Sequence, residues 1–233
     1  MANDALIMPY ISSANIACGA HAGDIATMQR TTASAIEYGV AIGAHPGFSD
    51  KTNFGRIEMS LSPKEIYDLI TEQVLTLQQI VTNMGARLQH VKPHGALYNM
   101  SARDPQLAFV IARAVCDIDA TLVLFGLSGS CSLTEAAKAG LQTAAEVFAD
   151  RSYQDDGSLT PRSQPGALIT DTATAMQQVL QMVQDSTVTS INGHKIPINA
   201  DTICIHGDGA HALDFAKATY QTLETASIGI GKK

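Results

Sequence analysis

Along the chain, short apolar runs alternate with longer stretches of helical period. Residues 11–17, 40–44, 88–92, 121–125, 143–148 and 202–206 have the length and apolar content of strands. The stretches between them predict helices over 25–38, 63–84, from 105 onward, up to Gly140, over 171–184 and over 210–223. Local punctuation agrees. Asp24 stands where a helix N-cap belongs, and Ser62-Pro63-Lys64-Glu65 reads as a capping box with proline at the first helical position. Gly39 and Gly85 stand where glycine ends a helix. The 121–125 run is continuously apolar or β-branched, as in a strand covered on both faces. Asn192-Gly193 predicts a hairpin outside the main pattern. Six strand–loop–helix units imply a parallel β/α architecture. With no linker or low-complexity segment, residues 1–233 read as a single domain. Periodicity alone leaves an open doubly wound sheet and a β/α barrel as alternatives.

The polar residues then take on meaning, because they follow the strands. His21 and Asp24 follow the first strand, and His45, Asp50 and Arg56 the second. Lys92, His94 and Tyr98 follow the third, and Ser128 and Ser130 the fourth. Glu146, Asp150, Arg151 and Tyr153 follow the fifth, and His206 and Asp208 the sixth. In parallel β/α folds the carboxyl ends of strands are where ligands bind. Lys92 ends an apolar strand, so it needs an anion, a carboxylate or a lowered pKa. His90 alternates with Val91 inside a strand and reads as structural. His94 lies beyond the strand, where replacement should cost little packing. Ser128 and Ser130 read as caps or anion-binding hydroxyls, since no G-x-S-x-G elbow is present.

Composition narrows the classes. The net charge is −7 and there is no basic run, which argues against a nucleic-acid footprint. Cys18, Cys116, Cys131 and Cys204 are scattered without a C-x-x-C pair, as expected of reduced thiols in a cytoplasmic protein. No apolar run is long enough to span a membrane, and the Met1-Ala2-Asn3-Asp4 start lacks signal-peptide character. No Gly-rich phosphate loop follows a strand.

Five ordered motifs, NIACGAHAGD, GAHPGF with NFGR, HVKPHGALYN, EVFADRSY with PRSQPGA, and CIHGDG, resemble the LamB/YcsF family over nearly the whole chain. The resemblance implies an irregular seven-stranded β/α barrel like that of polysaccharide deacetylases. It implies ATP-driven opening of the lactam of 5-oxo-L-proline to L-glutamate, as a 5-oxoprolinase working with B and C partner subunits. The family's leading D-L-N-x-D-x-G-E segment has no counterpart, so about six strands are expected, the first being missing.

On this reading His21, Lys92, His94, His206 and Asp208 are catalytic candidates, with His94 and His21 in acid/base work and His206 with Asp208 in orienting support. His45, Arg56, Tyr98, Glu146, Asp150 and Arg151 are substrate-binding candidates, Lys92 or Arg151 holding a carboxylate or phosphate. ATP is the co-substrate, handled by this chain or by its partners. Two rivals stay open. One is a metal-dependent deacetylase or amidohydrolase acting on a small or carbohydrate substrate, with His21, His45 and His94 as possible ligands of a divalent metal. The other is an inactive truncated paralogue, or a subunit that serves only as a scaffold. A homo-oligomer is compatible with the sequence alongside the B and C partners.

Overall fold

A computed structural model describes residues 4–207 and 212–231. In chain order the elements are α1 (Asp4–Ile7), a 3-10 turn (Met8–Tyr10), β1 (Ser13–Ala17), α2 (Ile25–Glu37), β2 (Ala41–His45) and α3 (Pro63–Asn83). Then come β3 (His90–Val91), α4 (Gly95–Arg103), α5 (Pro105–Ile118), β4 (Val123–Leu127), α6 (Cys131–Lys138) and β5 (Gln142–Phe148). The chain continues through α7 (Thr172–Gln184), β6 (Thr187–Thr189), β7 (Lys195–Pro197), β8 (Thr202–Cys204) and α8 (Ala212–Thr225). The expected alternation is present, and the hairpin at Asn192-Gly193 is the antiparallel β6–β7 pair.

The chain divides into two compact units. One of them holds Ser12–Gly126 and Ser130–Ala144. In it β1, β2, β3 and β4 lie side by side in that order, each parallel to its neighbour. The residues of β2 are buried up to Ala44, with His45 half-buried at the carboxyl end. Helix α3 turns Ile66, Ile70, Val74, Leu77, Ile80 and Val81 inward, one stripe at helical spacing. Its capping box is formed: the Ser62 hydroxyl accepts from Glu65 N, and the Glu65 carboxylate accepts from Ser62 N.

The second unit takes up Leu127–Gly129, Ala145–Gly231 and the chain as far as Ile11. Here β5 and β8 pair in parallel, and Ile7, Ala212 and Ala216 form a small apolar cluster with Tyr10, Ile11, Ile205 and Leu213. Among the described residues the parallel strands number six, the number expected.

Two local expectations change. Residues 93–103 read as a loop because Pro93 and Gly95 punctuate them, yet α4 begins at Gly95. Ala96, Leu97, Tyr98 and Ser101 are buried along it. The third strand is only His90–Val91, but pairing extends beyond it: the Gln89 side-chain oxygen accepts from Ile42 N at 2.6 Å.

Candidate functional site

In the first unit three of the histidines that follow strands meet. The His21 and His94 rings are stacked, 3.9 Å between centroids and 4° apart in plane. His45 meets His94 edge-on at 4.8 Å, and the Phe54 ring closes the group at 5.2 Å from His94. Small residues make this possible. A Cβ at Gly47 would fall 2.8 Å from Nδ1 of His21, and one at Gly55 would fall 2.9 Å from the His21 Cβ. Gln73, a polar residue on the inward face of α3, fixes the turn after β2. Its side chain accepts from Gly47 N at 3.0 Å and donates to Gly47 O at 2.8 Å.

The hydrogen bonds of this cluster count its protons. His45 Nδ1 lies 2.6 Å from the Lys92 carbonyl, and His94 Nε2 lies 2.8 Å from the Phe54 carbonyl. A carbonyl only accepts, so both outer nitrogens carry hydrogen. The inner contact, His94 Nδ1 to His45 Nε2 at 2.9 Å, needs one proton more. Three protons on two imidazoles make the pair a monocation. Positive charge on His94 helps hold His45 neutral, and burial is the larger cause, pushing its pKa well below the ordinary value. His21 is driven down to about 3, first by burial, then by the charges of His94 and Arg56. It is therefore a neutral ring stacked on a cationic pair. Its Nδ1 is buried with no hydrogen-bond partner among the described residues.

Around the cluster, Lys92 is buried with its ammonium 5.6 Å from the Tyr98 ring centroid, and Arg56 lies over Phe54 at 4.9 Å. Asp50 shapes the intervening turn: its carboxylate accepts from Asn53 N and its carbonyl from Gly55 N. A metal does not fit this arrangement. The nitrogens of His45 and His94 face each other and two carbonyls, and His21 lies flat on His94 rather than converging with it. No group of three or more His, Cys, Asp or Glu suited to a metal ion occurs among the described residues. His90 stands apart, fully buried, with Nε2 3.0 Å from Asn15 Oδ1 and its ring stacked on Phe125 at 4.2 Å. It is the structural histidine its strand position predicts. The Cys18 thiol, pushed up to about 12 by burial, is likewise inert packing.

His94 itself departs from the expectation of a dispensable loop residue, being only 8 % exposed and bonded through both ring nitrogens. His94→Ala is expected to strand the Phe54 carbonyl and the His45 ring, lowering the unfolding free energy by roughly 2 kcal/mol or more. Denaturant titration of both proteins checks this, and an unchanged midpoint would contradict the proton count above.

The second unit gathers Asp150, Arg151, Tyr153 and His206, with Glu146 buried on β5. His206 Nδ1 meets Asp150 Oδ2 at 2.8 Å, and its Nε2 meets Arg162 Nη2 at 3.2 Å. Asp208, expected with His206 in orienting support, lies outside the described residues; among the described residues the carboxylate on His206 is that of Asp150. Arg151, a substrate-binding candidate, donates to the Thr160 and Ala167 carbonyls and so folds the 150–169 loop. Its guanidinium is lowered to about 10, mainly by burial. Tyr153 accepts from Phe148 N at 2.7 Å. Ser128 accepts from Asn199 N at 2.9 Å, a loop contact rather than the cap or anion contact expected of it.

Four residues that shape these clusters are absent from the candidates the sequence offers: Phe54, Gln73, Arg162 and Gln178. Gln178 of α7 donates to the Phe148 and Arg151 carbonyls at 2.9 Å each, clamping the turn after β5 much as Gln73 clamps the turn after β2. A glutamine interrupting the apolar stripe of a helix is the available signal for Gln73. Phe54 and Arg162 are marked only by the NFGR and PRSQPGA motifs that contain them, since their partners come from distant loops.

Ionisable side chains collected in the turns after parallel strands define a loop-built β/α protein of the enzyme type. The chain belongs to the LamB/YcsF family, which matches residues 1–232. The 5-oxoprolinase A subunit of Brevibacillus brevis is 54% identical over 233 residues, 100% of this chain and 92% of that protein. That of Bacillus subtilis is 52% identical, covering 96% of this chain and 87% of its own. The crystal structure of a lactam utilization protein from Thermus thermophilus superposes with a TM-score of 0.92 at 42% identity, over 99% of this chain and 92% of that one.

Proposed function

We propose that this protein is the A subunit of a 5-oxoprolinase, a hydrolase that opens the cyclic amide of 5-oxo-L-proline to L-glutamate together with B and C subunits. The observation that carries the reading is 54% identity, over the full chain, to a protein of that name. The chemistry suits the groups present. Opening a lactam adds water to an unreactive carbonyl and puts a proton on the departing nitrogen, so it needs a base, an acid and fixed positive charge. The cationic His45–His94 pair, with His21 stacked on it, is our candidate proton source. Buried Lys92 is our candidate cation for the carbonyl oxygen, or for a phosphate placed on it by ATP. Tyr98 and Arg56 complete its surroundings. ATP is assigned to the complex, with the partners handling it, since no Gly-rich phosphate loop follows a strand here. No described helix is long and apolar enough to cross a membrane. Four free cysteines favour a cytoplasmic complex, with one β/α domain contributed by this chain.

The test is glutamate release from 5-oxoproline and ATP, with this chain alone and with its partner subunits. Release is expected only in the complete mixture. Turnover by the chain alone would remove the partner requirement, and none in the complete mixture would overturn the reading.

A further inference from the structure

We propose that Asp150 is the positioning residue that makes His206 a general base for this reaction, and that Arg162 caps the base until an anionic substrate draws it away. The inference rests on the hydrolase reading above. Its ground is the order of three side chains. Arginine can only donate, so the His206 Nε2 facing Arg162 Nη2 at 3.2 Å must present a lone pair. The hydrogen of the neutral ring is then on Nδ1, where Asp150 Oδ2 accepts it at 2.8 Å. Asp150 thereby fixes the tautomer whose Nε2 can take a proton, and it stabilises the imidazolium that results.

The surroundings hold this alignment. Phe148 lies against the His206 ring, 5.8 Å between centroids and 28° apart in plane. The Gln178 amide fastens the carbonyls of Phe148 and Arg151, which bracket Asp150, so the carboxylate is carried on a clamped turn. The side chains of His206 and Asp150 are 25% and 21% exposed, which leaves the ring within reach of a small molecule.

Arg162 has a different part. While its N–H occupies Nε2, that lone pair cannot accept a proton from water. A 5-oxoproline carries a carboxylate, a better acceptor for guanidinium than imidazole is. Binding of that carboxylate draws Arg162 off and frees the base in the same event. Water then loses a proton to His206 Nε2 as its oxygen bonds to the lactam carbonyl carbon. The ring C–N bond breaks, the departing nitrogen is protonated, and the imidazolium releases its proton to solvent. With the activating phosphate leaving as inorganic phosphate, lactam, ATP and two waters become the open amino acid, ADP and phosphate, and His206 returns to its neutral form.

The experiment uses the full chain with its partner subunits. Asp150→Asn should lower kcat at least about 100-fold, the usual worth of a general base, with KM little changed. Asp150→Glu should recover part of the loss. Arg162→Ala should act mainly on KM, raising it at least about tenfold, as loss of a charge-assisted contact to a carboxylate does. Imidazole nitrogen NMR of the labelled protein should find His206 as the Nδ1–H tautomer in the wild type and not in Asp150→Asn. Wild-type kcat in Asp150→Asn, or an Nε2–H tautomer in the wild type, would overturn the proposal. If the wild-type complex releases no glutamate, the hydrolase reading fails, and the base role of His206 falls with it. If the complex is active and only the Asp150 variants behave as wild type, this inference alone fails.

Discussion

Gly43→Ala is expected to unfold the protein or leave it barely stable. A Cβ at that position would lie 1.9 Å from Nε2 of His90 and within 2.3 Å of two further ring atoms, a clash no side-chain adjustment of its own can relieve. His90 cannot retreat, since Asn15 holds its Nε2 and Phe125 lies against its face. The backbone cannot open either, because Gly43 is paired with Asn15 in β1 and with His90 in β3. Overfilling a core ordinarily costs about 1–3 kcal/mol where neighbours can shift, and here they are fixed on three sides. Against a total stability of roughly 5–15 kcal/mol, such a loss is decisive. His90→Ala alone should also destabilise, by about 2–5 kcal/mol, through the cavity it leaves. Combined with Gly43→Ala, it should restore some of what the first change removed. Urea unfolding of the single and double variants measures that coupling. Simple additivity of the two losses would show that the ring and the absent methyl do not compete for the same space.

The contrast between His90 and His94 shows what a sequence reveals and what it hides. His90 lies inside a strand run, and alternation with Val91 suffices to mark it as structural. His94, four residues later, carries the same side chain in a segment that reads as a loop. Nothing nearby announces that the Phe54 carbonyl, from a turn forty residues earlier, will bond its Nε2. That contact depends on Phe54 and Gly55 both adopting positive φ, a conformation that residue preferences at Phe54 argue against. Asp150 makes the same point. Its carboxylate reaches His206 from fifty-six residues away, carried beside the ring by the pairing of β5 with β8. Periodicity reports which face of an element is buried, and so it locates the strands and the turns that follow them. Which side chains then touch is set by turn geometry and strand register, and those lie outside periodicity.

The buried neutral histidines should make the protein unusually sensitive to mild acid. His21 and His90 are held at about 3, and His45 well below its ordinary value, in each case chiefly by burial. All three are neutral in the folded chain at about pH 5 to 7, whereas in the unfolded chain they protonate near about pH 6.5. Between about 6.5 and 3 the unfolded state therefore binds more protons, and stability falls as pH falls. The contribution is fully present above about pH 6.5. Each group gives a slope of about 1.4 kcal/mol per pH unit, so the three together give about 4. Carboxylates such as Asp24 and Glu65, whose pKa values are lowered by their cap hydrogen bonds, act only at lower pH. The range from about 6.5 to 5 thus isolates the histidines. Unfolding free energies from guanidinium titrations at about pH 7, 6 and 5 should fall steeply over the last step, with the fold close to lost near the lowest pH. A flat profile across that range would mean that these rings are protonated within the native protein, and the stacked, partly charged cluster described above would then be wrong.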